Sequence, residues 1–434
     1  MAGALQGLRV VELSSVHGAL AGKLFADMGA ELILVEPPGG DPMRGFEPFL
    51  DDEPGPERSL YWWHYNTSKL GVTLDLDDSG DAERFRKLVA DADVVLECET
   101  PGRLAALGLD HPDLSASHPE LITVSITPYG RGDPRSAEAT TDLTILAAGG
   151  PVWNCGYDDH SLPPVRGGGN QGYHTGCHFA VMSTLVALLA RDQSGRGQHI
   201  DVNMHAAANV TTEAGSYDWL VAQGTVQRQT GRHAAQVPTM VSQVECADGR
   251  YVNTGVPPMR GAEFGALLRW VEDLGLREEF PEAIFLEMGQ KIERVDFSKL
   301  AEDEELQAIF GAGREAVNLI ASKLSAREFF LGAQRCGMAV GVVYSPEEVM
   351  DDPHFAERGF GVEVEHEDHG QSFRYPGAPW IFHGTPWQIS RRAPHLGEHN
   401  ESVFGLPDLG DRGEREAPGD PPDSRGSPAR KPKR

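Results

Sequence analysis

The chemically densest stretch of the chain is Val165-Arg-Gly-Gly-Gly-Asn-Gln-Gly-Tyr-His-Thr-Gly-Cys-His178. Three consecutive glycines, with Gly172 and Gly176 behind them, run into an apolar segment that reads as a helix. Glycine lets a ligand or a second backbone come close. The free N–H groups of a helix start can hold an anion or a developing oxyanion. Gly168, Gly169, Gln171 and Tyr173 are therefore candidate substrate-loop residues. His174 and His178 stand four apart, so on a helix they share a face. Such a pair can hold a metal, or one ring can act as acid or base. No acidic ligand stands at matching spacing and Cys177 points elsewhere, so the expectation is no metal. Asp158-Asp-His160 is a second acid/base candidate, but Gly156, Pro163 and Pro164 around it read as a surface loop. Tyr61-Trp-Trp63 and Trp153 can line an aromatic pocket or fill a core.

Other motifs are missing. The first turn, Ser14-Ser-Val-His-Gly-Ala-Leu-Ala-Gly22, lacks the GxGxxG of dinucleotide sites. There is no GxxxxGK[ST], no HExxH and no GxSxG. The 434 residues hold 65 acidic and 38 basic side chains, a net charge of −27. That balance argues against gripping nucleic acid or anionic lipid, both of which require Lys and Arg. A locally basic pocket for a small anion remains compatible with it. No apolar run approaches the roughly 20 residues of a membrane helix, so no membrane association is expected. Met1 to Val11 lacks the basic-then-apolar order of a secretion signal. The 5 Cys are scattered without a CxxC pair, as expected of a cytoplasmic protein with free thiols.

The elements that must position these groups read as α/β. Leu8–Leu13 and Glu31–Glu36 look like strands, with a helix over Ala19–Met28 between them. Val72–Leu74, Val94–Glu97 and Leu121–Thr127 continue the strands, with a helix at Ala82–Ala90 and a short one near Leu104. This alternation predicts a large Rossmann-like domain with a parallel sheet. Phe179–Arg191 is so apolar that it predicts a helix buried on most sides, and His199–Asn203 a strand. The expected organisation is residues 1–204 for the N-terminal part of the large domain and 205–330 for a linker and a smaller α+β domain. Residues 331–406 would return to the large domain, with a strand at Ala339–Val343. Residues 407–434, rich in Pro and poor in apolar side chains, would form a disordered tail.

Several of these segments together resemble the family III CoA-transferases, the CaiB/BaiF family. Gly7-Leu-Arg-Val-Val-Glu-Leu13 is similar to its first strand and Gly18–Ala30 to its first helix. Asn66-Thr-Ser-Lys-Leu-Gly-Val-Thr-Leu-Asp75, Pro101-Gly102 with Leu107-Gly108, and Arg191-Asp-Gln-Ser-Gly-Arg-Gly-Gln198 follow in order. Asp352-Pro-His354 and Ala393-Pro-His-Leu-Gly-Glu-His399 complete the resemblance, which spans about residues 5–405. It implies the family fold, with two chains threaded as interlocked rings in a homodimer or a heterodimer with a same-family subunit. It implies coenzyme A or an acyl-CoA as ligand, with no covalently bound cofactor. In the family's transferases one Asp attacks the thioester, splitting one difficult exchange into easier ones. Lys69, Arg44 and Arg103 become candidates for the CoA phosphates.

The resemblance places that Asp where this chain has Gly172, and no carboxylate lies between Val165 and Ala190. The His that the family's racemases carry just before Asp142 is Thr141 here. Asp142 itself reads as a capping or turn residue. The catalytic group is thus left unknown, with His174 and His178 as alternatives. Three functions remain. The first is the Asp-less subunit of a heteromeric CoA-transferase. The second is an enzyme with altered acyl-CoA chemistry, such as a dehydratase, isomerase or hydrolase. The third is a non-catalytic acyl-CoA-binding protein.

Overall fold

The computed structural model describes residues 3–405 apart from 213, 256 and 301, so the expected tail at 407–434 lies outside the described residues. The first half builds one sheet. In chain order it contains β1 (Arg9–Leu13), α1 (Ala19–Asp27), β2 (Glu31–Glu36), α2 (Leu60–Tyr65) and β3 (Leu70–Thr73). Then come α3 (Ser79–Ala90), β4 (Val94–Glu97), α4 (Arg103–Ala106), α5 (His111–Ser115) and β5 (Ile122–Thr127). It closes with α6 (Asp142–Gly149), α7 (Gln171–Ser194) and β6 (His199–Asn203). The strand order is β3-β2-β1-β4-β5-β6, all parallel. Alternate residues fill opposite faces, as strand geometry demands. Val10, Leu32, Leu34, Val94 and Val124 face α1 and α7, whereas Val11, Ile33, Val35 and Val95 face the α3 side with Phe85 and Leu88. Both faces are covered, which is why β2 and β4 read as unbroken apolar runs.

The remaining elements are α8 (Met204–Val210), α9 (Ala214–Tyr217), β7 (Gln227–Gln229), β8 (Arg232–Ala235), β9 (Gln243–Glu245) and β10 (Tyr251–Thr254). α10 (Gly261–Asp273), α11 (Ala283–Gly289), α12 (Glu304–Ala321), α13 (Ala326–Arg335) and β11 (Val340–Val342) follow. The chain then forms α14 (Pro346–Asp351), α15 (Pro353–Glu357), β12 (Gly361–His366), β13 (Gln371–Pro376) and α16 (Asn400–Phe404). A second core runs from Cys246 to Val340.

Three expectations need correction. The strand expected to return to the large domain is β11, and it pairs antiparallel with β10 inside the smaller unit. The return begins with the β12–β13 hairpin, whose Val364 and Tyr375 join the first core. The main apolar helix starts at Gln171 rather than Phe179, so Gly172, Tyr173, His174 and Gly176 are helical and not loop residues. Finally, α7 is long and apolar enough to cross a bilayer by length and composition. It packs through Ala180, Val181 and Ala187 into the core, but Met182, Val186 and Leu189 are 53%, 60% and 65% exposed. These three lie along one face at i, i+4 and i+7, so the helix is not buried on most sides of the single chain.

Candidate active site

In a doubly wound sheet, ligands bind beyond the strand ends where the order reverses, here between β1 and β4. Four segments meet around this crevice. The turn after β1 brings His17, whose carbonyl accepts a hydrogen bond from Cys177 Sγ of α7 at 3.0 Å. The His17 ring packs edge-on against Tyr173, centroids 4.9 Å apart. Gly18 leaves room for Cys98 at the end of β4, since a Cβ there would sit 2.8 Å from Cys98 Sγ. α2 contributes Tyr61 and Tyr65, one helical turn apart.

The start of α7 is held from outside its own segment. Asn170, the residue before the helix, provides no side-chain cap. The N–H groups of Gly172 and Tyr173 instead donate to Asp142 Oδ1 at 2.8 and 3.1 Å. Arg166 Nη1 reaches the second oxygen, Asp142 Oδ2, at 3.3 Å, and also bonds the carbonyls of Gly167 and Gly169. Asp142 thus has the capping role expected of it, but on α7 rather than on α6, which Thr141 caps. The expectation that the N–H groups of this helix start are free for an anion is corrected accordingly, because a buried carboxylate already occupies those of Gly172 and Tyr173. A Cβ at Gly172 would lie 3.1 Å from Asp142 Oδ1 and 3.2 Å from Ile145.

His174 and His178 do share the helix, yet they diverge in environment. His174 Nε2 lies 2.7 Å from Tyr65 Oη, and Asn170 donates to both Tyr61 and Tyr65 hydroxyls. Burial lowers the His174 pKa and raises that of Tyr65, so a neutral imidazole faces a neutral phenol. That pair can exchange a proton with a bound ligand. His178 is exposed. Among the described residues no third donor joins the two histidines to form a metal cluster. Gln171 is exposed beside Gly167, whereas Gly168 and Gly169 form the open bend before the helix. A cleft of about 1980 Å³ runs from Arg166, Gly167 and Gln171 to Arg232 and Arg314 of the second half of the chain.

Two of the three expected phosphate ligands are corrected. Lys69 is fully buried, with its Nζ 2.7 Å from Glu12 and 2.9 Å from Asn66 Oδ1. Arg44 is 3% exposed, forks onto Glu36 at 2.7 Å through two nitrogens, and stacks on Trp62 at 3.9 Å. Both cations neutralise buried carboxylates, so neither has a charge free for an entering phosphate. Arg103 is exposed and pairs with Asp77 at 3.3 Å and with Glu99 at 3.1 Å. Asp158 pairs with Arg232 at 2.7 Å and His160 meets the Arg228 carbonyl at 3.0 Å, leaving that loop structural. Trp63 packs in the core, and Trp153 bonds the Val226 carbonyl. Sequence reasoning missed the roles of His17, Tyr65 and Asn170. The signals were present in the first βα turn, the four-residue spacing of Tyr61 and Tyr65, and the residue preceding α7.

The profile of CoA-transferase family III matches residues 5–400, and the chain belongs to that family. The succinyl-CoA:(R)-benzylsuccinate CoA-transferase subunit BbsE of Thauera aromatica is 31% identical over 396 residues, covering 91% of this chain and 92% of that one. A succinyl-CoA:mesaconate CoA-transferase of Haloarcula marismortui is 28% identical, covering 93% and 96%. Among solved structures, a CaiB/BaiF family protein from Brucella suis superposes with a TM-score of 0.74 at 25% identity, over 93% of this chain and 99% of that one.

Proposed function

We propose that this chain is the subunit of a heteromeric CoA-transferase that lacks the family's nucleophilic Asp, acting on an acyl-CoA. The observation that carries the reading is the start of α7. Gly172, which the family resemblance aligns with the attacking Asp, has no side chain, and the carboxylate nearest it, Asp142, is tied up by two backbone N–H groups and Arg166. An acid with both oxygens engaged is a poor nucleophile. A same-family partner would bring the missing Asp, while this chain completes the assembly and shapes the acyl pocket around Gly168, Gly169, Gln171 and Tyr173. The Thauera aromatica relative is itself named as a subunit, which agrees with this division of labour. The exposed stripe of Met182, Val186 and Leu189 offers an apolar face for such a partner. Arg103 would meet the CoA phosphates, which would displace its partners, the exposed Asp77 and the half-buried Glu99. The reading needs no covalently bound cofactor and places the chain in the cytoplasm, in keeping with its five free thiols.

The test is expression alone and together with an Asp-bearing chain of the same family. Exchange of CoA from succinyl-CoA to a panel of carboxylic acids is then followed. The chain alone should be inert and the pair active, with both chains in one assembly. Turnover of acyl-CoA by the chain alone, abolished by His174→Ala, would overturn this reading. It would favour altered acyl-CoA chemistry at the Tyr65–His174 pair, which that 2.7 Å contact specifically suggests. If no CoA ester bound to the chain or to the pair, the reading would fail in favour of a non-catalytic role.

A further inference from the structure

The turn between β12 and β13 gathers a set of donors on the far side of α2 from the crevice. One donor atom each from His366, Asp368 and His369 lies within 4.8 Å of the others. His366 is fully buried, with its ring 4.2 Å from that of Trp63. Its Nε2 is 2.9 Å from the Tyr375 hydroxyl, while its Nδ1 has no hydrogen-bond partner. A buried ring nitrogen with no partner costs free energy, and native folds rarely leave one. His369 Nε2 stands 3.6 Å from Asp368 Oδ2. His395 Nε2 approaches the same oxygen at 3.1 Å, and its Nδ1 is 2.9 Å from Glu57. Arg392 takes the other oxygen, with its Nε 3.4 Å from Asp368 Oδ1, and is itself held by Glu398. Asp368 Oδ2 therefore faces the His369 and His395 imidazoles, and a ring nitrogen of His366 lies within 4.8 Å of the Asp368 carboxylate.

We propose that His366, Asp368 and His369, with His395 as fourth donor, form a binding site for a divalent transition cation of the zinc type. The donor set, three imidazoles and one carboxylate, suits zinc and not magnesium or calcium, which prefer oxygen. Ligand atoms around tetrahedral zinc are about 3.3 Å apart. The donors of His366, Asp368 and His369 lie within 4.8 Å of one another and His395 Nε2 lies 3.1 Å from Asp368, so closing the shell draws the three rings toward the carboxylate. The outer contacts are those that metal-bound histidines use. Glu57 orients His395 and the Tyr375 hydroxyl orients His366. Asp368 and His369 are 26% and 21% exposed, which gives the ion a way in from solvent. The cation would pin the hairpin to Trp63 of α2, the helix whose Tyr61 and Tyr65 border the crevice. This site stands apart from the transferase reading, which can fail without affecting it.

The experiment uses the full chain, stripped with a chelator and dialysed, then titrated with Zn2+ against a chromophoric competitor. Bound zinc is also counted by elemental analysis. His366→Ala removes a buried ring and can unfold the chain, so the deciding variants are Asp368→Asn and His369→Ala. The control is His354→Ala, on an exposed histidine. The expected result is one zinc per chain, a raised melting temperature, and affinity at least ~10-fold weaker in both deciding variants but unchanged in the control. Zinc uptake equal in all four proteins, or none, would overturn the proposal and leave the cluster an ion-pair network centred on Asp368.

Discussion

Asp142 belongs to one helix and completes another, and this shows how a single residue fixes the geometry of the site. Asp142→Ala would leave the Gly172 and Tyr173 N–H groups unpaired in a buried place, at a cost of about 1–3 kcal/mol. Urea unfolding should show that loss, and an unchanged midpoint would refute it. Gly172→Asp would bring a second carboxylate close to Asp142 Oδ1, which lies 3.1 Å from where the new Cβ would stand. Two carboxylates so close cannot both ionise cheaply, so one pKa rises above its unfolded value. A raised folded pKa gives stability that is present at low pH and lost as pH climbs through it. The melting temperature of the variant should therefore fall further behind that of the wild type between about pH 4 and pH 7. A gap that stays constant with pH would contradict this. Lys69 and Arg44 mark the limit of sequence reading at this scale. A cation looks solvent-facing until its buried partner is known: Lys69, just before β3, meets Glu12 only because β1 and β3 flank β2 in one sheet, and Arg44 meets Glu36 only because the chain turns back after β2.

The strands were the most legible elements. Glu31–Glu36 and Val94–Glu97 were read with the bounds they have, because strands covered on both faces are apolar without interruption. The α7 start was misread because glycines normally signal loops. Gly176 serves close packing instead, since a Cβ there would come within 3.0 Å of Met204. The partner of β11 was invisible for another reason. Three residues of apolar strand carry no mark of which sheet they will join. The outward stripe of α7 leads to a prediction of its own. Val186, 60% exposed, should be covered in the assembled protein. Val186→Glu would put a charge into that contact, and light scattering should then report a smaller assembly. A mass equal to that of the wild type would remove α7 from the interface.

For the molecule as a whole, the excess of acidic groups shapes stability. At a net charge of −27 the chain repels itself, so raising salt to about 0.5 M should raise the melting temperature by screening. Superimposed on this is Glu12, whose carboxyl burial pushes up to about 7 against the opposing pull of Lys69. With a folded pKa above the unfolded one, its contribution is complete below the ordinary carboxylate range and disappears as pH rises through about 7. Stability should decline over that window, and Glu12→Gln should flatten the decline. An equal slope in both proteins would rule Glu12 out as its source.

β3 is the outermost strand of the main sheet, and its free edge is occupied by residues from the other end of the chain. The Thr73 N–H donates to Asn400 Oδ1 at 2.9 Å, Asn400 Nδ2 donates to Thr73 Oγ1 at 2.9 Å, and the His399 N–H donates to the Gly71 carbonyl at 2.9 Å. During synthesis, that border of the sheet must wait, uncovered, until His399 and Asn400 have left the ribosome. The last hydrogen bonds of the main sheet are thus made by a segment 327 residues downstream of the strand it seals, so the sheet is not finished by local folding alone.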